Sequence, residues 1–259
     1  MFSSLDVRAG VCTHPNATQD ALSIAALLIS ALVHDTNHPG VMNTYLVATK
    51  HVVATSLGES PKAVLEHHHA QVAITLLNRE ELDFLSNIDT EERARFISLI
   101  RENVLNTDVT TTMSAAKNFK DHRPSISVVA FEENARKSAG GDPRQWLPST
   151  QEVMCMIIKA ADISNPARPL PVYEKWIGDV LQEFFTQGDA ERKIGLPISM
   201  NCDRNSVKVP ASQVGFISFL VAPLYNALAA YSPSVRKIAE QLEANRLHYV
   251  VLVEKEQSK

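Results

Sequence analysis

Several segments put metal-ligating or proton-transferring side chains where a solvated surface would not need them. His34 and Asp35 follow directly on the apolar run Ala21 to Val33, and burying an imidazole beside a carboxylate is costly unless something satisfies both. A divalent cation would do so. His34 offers a borderline nitrogen, Asp35 a hard oxygen that can bridge two cations, and His38, one helical turn on, could face the same site. A helix end of this kind has a plainer reading, in which the imidazoles favour the helix dipole and Pro39-Gly40 simply stops the helix. The full run His34-Asp35-x-x-His38-Pro39-Gly40-x-x-Asn43 shifts the balance to a metal site.

Asp162 is a second anomaly. It closes the apolar segment Val153 to Ala161, so its carboxylate is expected to be buried and to need a metal or a hydrogen-bonding partner. Capping the turn Ser164-Asn165-Pro166 is the alternative. Within Glu66-His67-His68-His69, three adjacent histidines cannot face one way on a helix, so at most one or two point inward with Glu66; a solvated polar face is the alternative. Thr107-Asp108 closes the pattern Phe96, Ile97, Leu99, Ile100, Val104, either as a functional pair or as a helix end making local backbone bonds. Gln213 and Phe216 share a helix face, an amide beside an aromatic ring that suits a purine; core packing of Phe216 with an exposed Gln213 is the plainer reading.

These side chains need rigid supports, and the chain reads as all-α. It has 259 residues, nine glycines and 45% hydrophobic content, with apolar residues at three- and four-residue steps and no clear alternating strands. We expect one compact domain over residues 1–259. Asp20 is expected to start a helix over Ala21 to Val33, and Ser60-Pro61 one over Lys62 to Leu77. Asp89 and Ser149, each with a glutamate three residues on, mark two further helix starts. Helical patterns also run over Pro171 to Phe185, Ala211 to Tyr231 with a kink at Pro223, and Pro233 to Val253. Asp121 to Pro124, Ser138 to Pro148 and Gly195 to Pro210 have loop composition.

A net charge of −4 with 21% charged residues gives no support for nucleic-acid binding or attachment to anionic membranes. The three cysteines, Cys12, Cys155 and Cys202, lie far apart and suggest neither a disulfide framework nor a thiolate metal site, so a cytoplasmic location is expected. Ala21 to Val33 is too short to cross a membrane, carries Ser23 and Ser30, and suits a buried helix; residues 1–10 lack the pattern of a signal peptide, and no membrane insertion is expected.

Together the segments resemble the class I cyclic nucleotide phosphodiesterases from about Leu22 to Tyr249. The matching motifs are HDxxHPGxxN at His34, LExHHxxxxxxxL at Leu65, TD at Thr107, ADxSNPxxP at Ala161, EFFxQGDxE at Glu183 and SQVGFI at Ser212. The resemblance implies a compact multi-helix catalytic domain of the HD type that hydrolyses cAMP or cGMP to the 5′-nucleotide. It implies two divalent ions, Zn2+ and Mg2+ or Mn2+, with His34, Asp35 and Asp162 as direct ligands and Asp35 reaching both. His38, Glu66 and Thr107 would hold waters on the second ion, and Asp108, with His68 or His69, would support them, so catalytic support falls to His38, Glu66 and Asp108. Gln213, Phe216, Asn165 and Tyr173 would bind the nucleotide, with Trp176 as a wall. The resemblance leaves base preference unread and homodimerisation open.

The sequence departs from the family in one large respect. A motif of the type HNxxH, whose first histidine protonates the leaving 3′ oxygen and whose second binds metal, is expected about ten helical turns' worth of residues before the HD pair. That position precedes Met1, the helices around it are missing too, and His14 is a poor substitute. Asn37, Lys159 and Thr112 are smaller departures. The 259 residues are therefore expected to hydrolyse cyclic nucleotides poorly or not at all, either as the larger part of a longer enzyme or as a short nucleotide-binding or regulatory protein. A different HD-type phosphohydrolase is the third reading, against which the SQVGF and EFFxQGD segments speak.

Overall fold

The computed structural model describes residues 17–58, 61–121 and 148–258, and among these no strand occurs. The fold is all-α. Its helices are α1 (Ala17–Val33), α2 (Asn43–Ala48), α3 (Val52–Thr55), α4 (Val64–Leu77), α5 (Thr90–Leu105), α6 (Thr112–Asp121), α7 (Thr150–Asp162), α8 (Leu170–Ile194), α9 (Val209–Phe216), α10 (Ala222–Tyr231) and α11 (Arg236–Gln257). Short 3₁₀ turns lie at Val109–Thr111, Asn165–Ala167 and Pro233–Val235.

Two predicted helix starts hold in atomic detail. The Asp89 carboxylate accepts from the Glu92 backbone N–H at 2.8 Å, and Ser149 and Glu152 form a reciprocal capping box. Two others differ. α1 already runs from Ala17, so Asp20 lies inside it. α4 begins at Val64 rather than Lys62, after Ala63 in the left-handed region (φ 49°) with no side-chain cap of its own; Ser60, Cys12, His14 and nearly all of the stretch Ser138 to Pro148 lie outside the described residues. α8 extends past Phe185 to Ile194. The irregularity expected at Pro223 is a π-helical turn at Ile217–Val221 between α9 and α10, where the proline ring would otherwise crowd the carbonyl four residues back.

The largest core cluster joins α6, α7, α8, α10 and α11 through Phe119, Met156, Tyr173, Ile217, Leu224 and Tyr249. The run Val209–Tyr231 is long and apolar enough to cross a membrane by length and composition, but its Ile217, Val221, Leu224, Tyr225 and Leu228 belong to this core. A second cluster packs α1, α4 and α5 through Ala26, Ala70, Phe96 and Ile100, and Leu27 of α1 packs with Met154 and Ile158 of α7. Ser30, fully buried in α1, donates to the Ala26 carbonyl and accepts from Asn103 of α5, which in turn accepts from Gln151 of α7. The helix that leads to His34 and the helix that ends at Asp162 are thereby held in fixed relation.

A buried polar cluster on α8 fixes the loops around them. Gln187 Oε1 accepts from the Met42 N–H at 2.7 Å, while Gln187 Nε2 donates to Glu191 and Ser199. Glu191 accepts from both the N–H and the hydroxyl of Ser199. Gly188 lies between Gln187 and Glu191 because a Cβ there would run into the carbonyl of Cys202, whereas nothing crowds a Cβ at Gly178 of the same helix. Gly188→Ala should therefore lower stability by about 1–3 kcal/mol, and Gly178→Ala should raise it by about 0.5–1 kcal/mol. Thermal melts of the two variants should shift in opposite directions; a common shift would contradict the assigned packing.

Candidate metal centre

α1 ends one residue before His34, and residues 34–37 form a turn, so His34 and Asp35 project from a helix end rather than from a continuing helix. His34 Nδ1 lies 3.0 Å from the Ala31 carbonyl and Nε2 3.3 Å from Asp162 Oδ1 and 3.5 Å from Asp35 Oδ2. Both ring nitrogens thus face acceptors. The Asp162 hydrogen bond, with the charges of Asp162 and Asp35 behind it, outweighs burial and raises the His34 pKa to about 9. Asp162 and Asp35 are more open than the sequence suggests, with 26% and 61% of their side chains exposed. Asp162 is the last residue of α7, where apolar burial gives way to partial exposure.

Of the three adjacent histidines on α4, His67 is exposed, His68 half-buried and His69 buried, as helical geometry requires. His69 Nδ1 donates to the Thr36 carbonyl at 2.8 Å, which leaves Nε2 as an acceptor; burial pushes its pKa down. That Nε2 is buried without a hydrogen-bond partner and lies 3.6 Å from Asp35 Oδ1. His38 stacks on His69 with ring centroids 5.5 Å apart, and its Nδ1 accepts from the Gly40 N–H. Asn37 takes a left-handed backbone (φ 63°), which asparagine tolerates, and its amide lies 3.1 Å from His68 Nε2.

Asn43, which ends the HDxxHPGxxN run, has a role the sequence did not reveal. Its Oδ1 accepts from the Leu65 N–H at 2.7 Å and its Nδ2 donates to Glu66 at 3.1 Å, so it caps α4 from α2 and orients Glu66 in one step. Burial pushes the Glu66 carboxyl up, with the charges of Asp108 and Asp35 adding to the effect. Thr107 donates to the Val104 carbonyl, and Asp108 accepts from the N–H and hydroxyl of Thr110. The local bonding that was the plainer reading of this pair is therefore present, and it also holds Asp108 near Glu66. Thr112 is buried at the start of α6.

Gln213 and Phe216 both lie on α9 and both are half-buried. Tyr173, fully buried, donates to Gln213 Oε1 at 2.7 Å and meets Tyr249 edge-on. Phe216 packs against the main core. Asn165 sits in the turn after α7, held to α11 by Asn245 bonding the Pro166 and Arg168 carbonyls, and its own Oδ1 is buried without a partner. Trp176 is half exposed on α8.

The donor set fits a divalent cation. One imidazole nitrogen and two carboxylate oxygens lie within 4.8 Å of one another, a hard and borderline set suited to such ions. The buried, unpartnered His69 lone pair facing the Asp35 carboxylate is a repulsive arrangement that a cation or a water held by one would relieve. Uptake of a cation by His34 Nε2 must displace the proton that Asp162 holds there. Binding at pH 7 should therefore release close to one proton per ion, and affinity should rise about tenfold per pH unit until the pH nears 9. Calorimetry in buffers of different ionisation enthalpy measures that release, and proton-neutral binding would contradict the arrangement.

Comparison with known proteins shows the family to which the chain belongs. The 3′5′-cyclic nucleotide phosphodiesterase family matches residues 11–242. A "probable 3′,5′-cyclic-AMP phosphodiesterase" of Caenorhabditis elegans is 35% identical over 231 residues, covering 88% of this chain and 32% of that protein. The 3′,5′-cyclic-AMP phosphodiesterase 4C of Rattus norvegicus is 34% identical over 229 residues, covering 88% and 41%. The chain thus spans less than half the length of either relative. The crystal structure of the phosphodiesterase domain of Salpingoeca rosetta rhodopsin phosphodiesterase superposes with a TM-score of 0.77 at 23% identity, over 92% of this chain and 68% of that one. By the extent of the family match, and with the motifs around its candidate metal-binding cluster in accord, the chain belongs to the 3′,5′-cyclic nucleotide phosphodiesterase family.

Proposed function

We propose that this chain carries the metal and nucleotide sites of a phosphodiesterase that converts cAMP to 5′-AMP. The observation that supports this most is the convergence of His34, Asp35 and Asp162, with their ligand atoms within 4.8 Å, at adjoining helix ends. The curated relatives act on cyclic AMP by name, which favours cAMP over cGMP. The free thiols Cys155 and Cys202 are consistent with a cytoplasmic location.

In this reading His34, Asp35 and Asp162 would hold a zinc ion, and Asp35 would extend to a magnesium or manganese ion. Bound cations supply Lewis acidity that lowers the pKa of water and offset charge developing on the phosphate. Glu66, with its carboxyl pushed up by burial, is suited to accept a proton from a water near it. His38, whose Nδ1 is occupied by the Gly40 N–H, has Nε2 left to donate. Thr107 and Asp108 would complete the water-holding set. At the base, Tyr173 pins Gln213 Oε1 while Gln213 Nε2 donates to the Ser212 hydroxyl at 3.3 Å, which would leave the other amide N–H for an acceptor on the purine. Phe216 would cover the ring face, and the unpartnered Asn165 Oδ1 would accept from the nucleotide.

The 259 residues contain no HNxxH motif, and this favours a second reading in which the chain, taken alone, binds cyclic nucleotide with little turnover. Loss of a general acid costs on the order of 10²–10⁴ in rate. With Mg2+ and Zn2+ present, the chain should form 5′-AMP from cAMP slowly, well below the ~1–10³ s⁻¹ usual for enzymes, and Asp162→Ala should abolish that residue of activity. Chromatography of the products measures both. Turnover in the usual range would overturn the expected loss, and divalent-dependent turnover surviving in Asp162→Ala would overturn the assignment of the metal site.

A further inference from the structure

The stretch of chain that carries Asp162 and Asn165 is held from α10 and α11, two helices that bear no candidate metal ligand. Tyr225 of α10, 2% exposed, donates its hydroxyl to the Ala160 carbonyl at 2.6 Å. Ala160 lies in the last turn of α7, two residues before Asp162, where carbonyls run out of helical N–H partners. The Ile163 N–H goes to the Lys159 carbonyl, and among the described residues no backbone N–H from beyond the helix returns to Ala160. The tyrosine hydroxyl stands in for it. Asn245 of α11, also 2% exposed, holds the far end of the same stretch, its Nδ2 donating to the Pro166 carbonyl at 2.8 Å and to the Arg168 carbonyl at 2.7 Å. Its Oδ1 accepts from Gln241, one turn earlier on α11, at 3.1 Å, so the amide cannot turn over without losing all three bonds. Four residues further along α11, Tyr249 meets the ring of Tyr173, which bonds Gln213.

Both side chains bond main-chain carbonyls rather than ligand atoms, so what they fix is the path of the backbone from Ala160 to Arg168. That path decides where the Asp162 carboxylate stands against His34 and Asp35, which follow α1. Metal–ligand bonds of about 2.0–2.5 Å leave little room for a ligand whose backbone drifts. We propose that Tyr225 and Asn245 are positioning residues, and that through the carbonyls of Ala160, Pro166 and Arg168 the helices α10 and α11 set how tightly the chain takes a divalent cation at His34, Asp35 and Asp162. This rests on the metal-dependent reading above. Loss of a group that orients a metal ligand costs about 10–100-fold in affinity, and a group acting through the backbone belongs at the lower end, about tenfold.

Titration of the chain with Mn2+, read from the electron paramagnetic resonance of the free ion, measures affinity without any turnover. Tyr225→Phe deletes one hydroxyl and keeps the ring in the core; it should weaken Mn2+ binding about tenfold, and by no less than about threefold. Asn245→Ala should do the same. Phe119→Leu is the control for lost stability, because Phe119 belongs to the same core and meets Tyr231 edge-on at the far end of α10 but bonds none of these carbonyls. It should lower the melting temperature while leaving Mn2+ affinity within about threefold of the unaltered chain. Circular dichroism melts establish that each variant is folded at the temperature of titration; should Asn245→Ala fail to fold, Tyr225→Phe set against Phe119→Leu decides by itself. A folded Tyr225→Phe or Asn245→Ala with Mn2+ affinity within about threefold of the unaltered chain, or a Phe119→Leu weakened as much as Tyr225→Phe, would overturn the inference and leave the metal-dependent reading standing. No Mn2+ binding by the unaltered chain would overturn both.

Discussion

Four carboxylates and a ring of imidazoles converge in one cleft, and the structure is organised around tolerating that charge. Asp35, Glu66, Asp108 and Asp162 come from the ends of α1, α5 and α7 and the first turn of α4, and several of them raise one another's or their neighbours' pKa. Like charges this close are unfavourable unless cations offset them. One is built into the chain: His34, held between Asp162 and Asp35, carries a proton whose place a metal can take. The buried Lys159 nitrogen bonds the turn that carries Asp108.

The scaffold holds these groups against their mutual repulsion through hydrogen bonds that link distant elements. Ser30, Asn103 and Gln151 tie α1, α5 and α7 together below the cleft. Asn43 ties α2 to the start of α4, and Gln187 with Glu191 ties α8 to the loops at Met42 and Ser199. Asn43, Gln187 and Glu191 belong to the family motifs, and here they bond the backbone around the candidate ligands.

Helix type and many boundaries were legible because the relevant interactions are local. Asp89 with Glu92, and Ser149 with Glu152, are capping pairs within one turn and can be read from spacing alone. The start of α4 was not legible. Ser60-Pro61 mimics a helix start, but Ala63 takes a left-handed conformation and the cap comes from Asn43, 22 residues away. The metal-ligating candidates could be found because His and Asp at the ends of apolar helices are unusual. Their exposure could not, since the apolar pattern before Asp162 suggests burial where the side chain at the helix end is in fact partly exposed. Gln187 and Glu191 stand in the EFFxQGDxE run and four residues apart on α8, but their partners Met42 and Ser199 are set by tertiary packing.

The central claim is that His34, Asp35 and Asp162 form a cation site. Anomalous diffraction at the manganese edge, from crystals of the chain grown with Mn2+, tests it most directly. A peak within about 2.0–2.3 Å of His34 Nε2 and of oxygens from Asp35 and Asp162 is the predicted result. Manganese found only elsewhere, with His34 still bridging the two carboxylates, would contradict it.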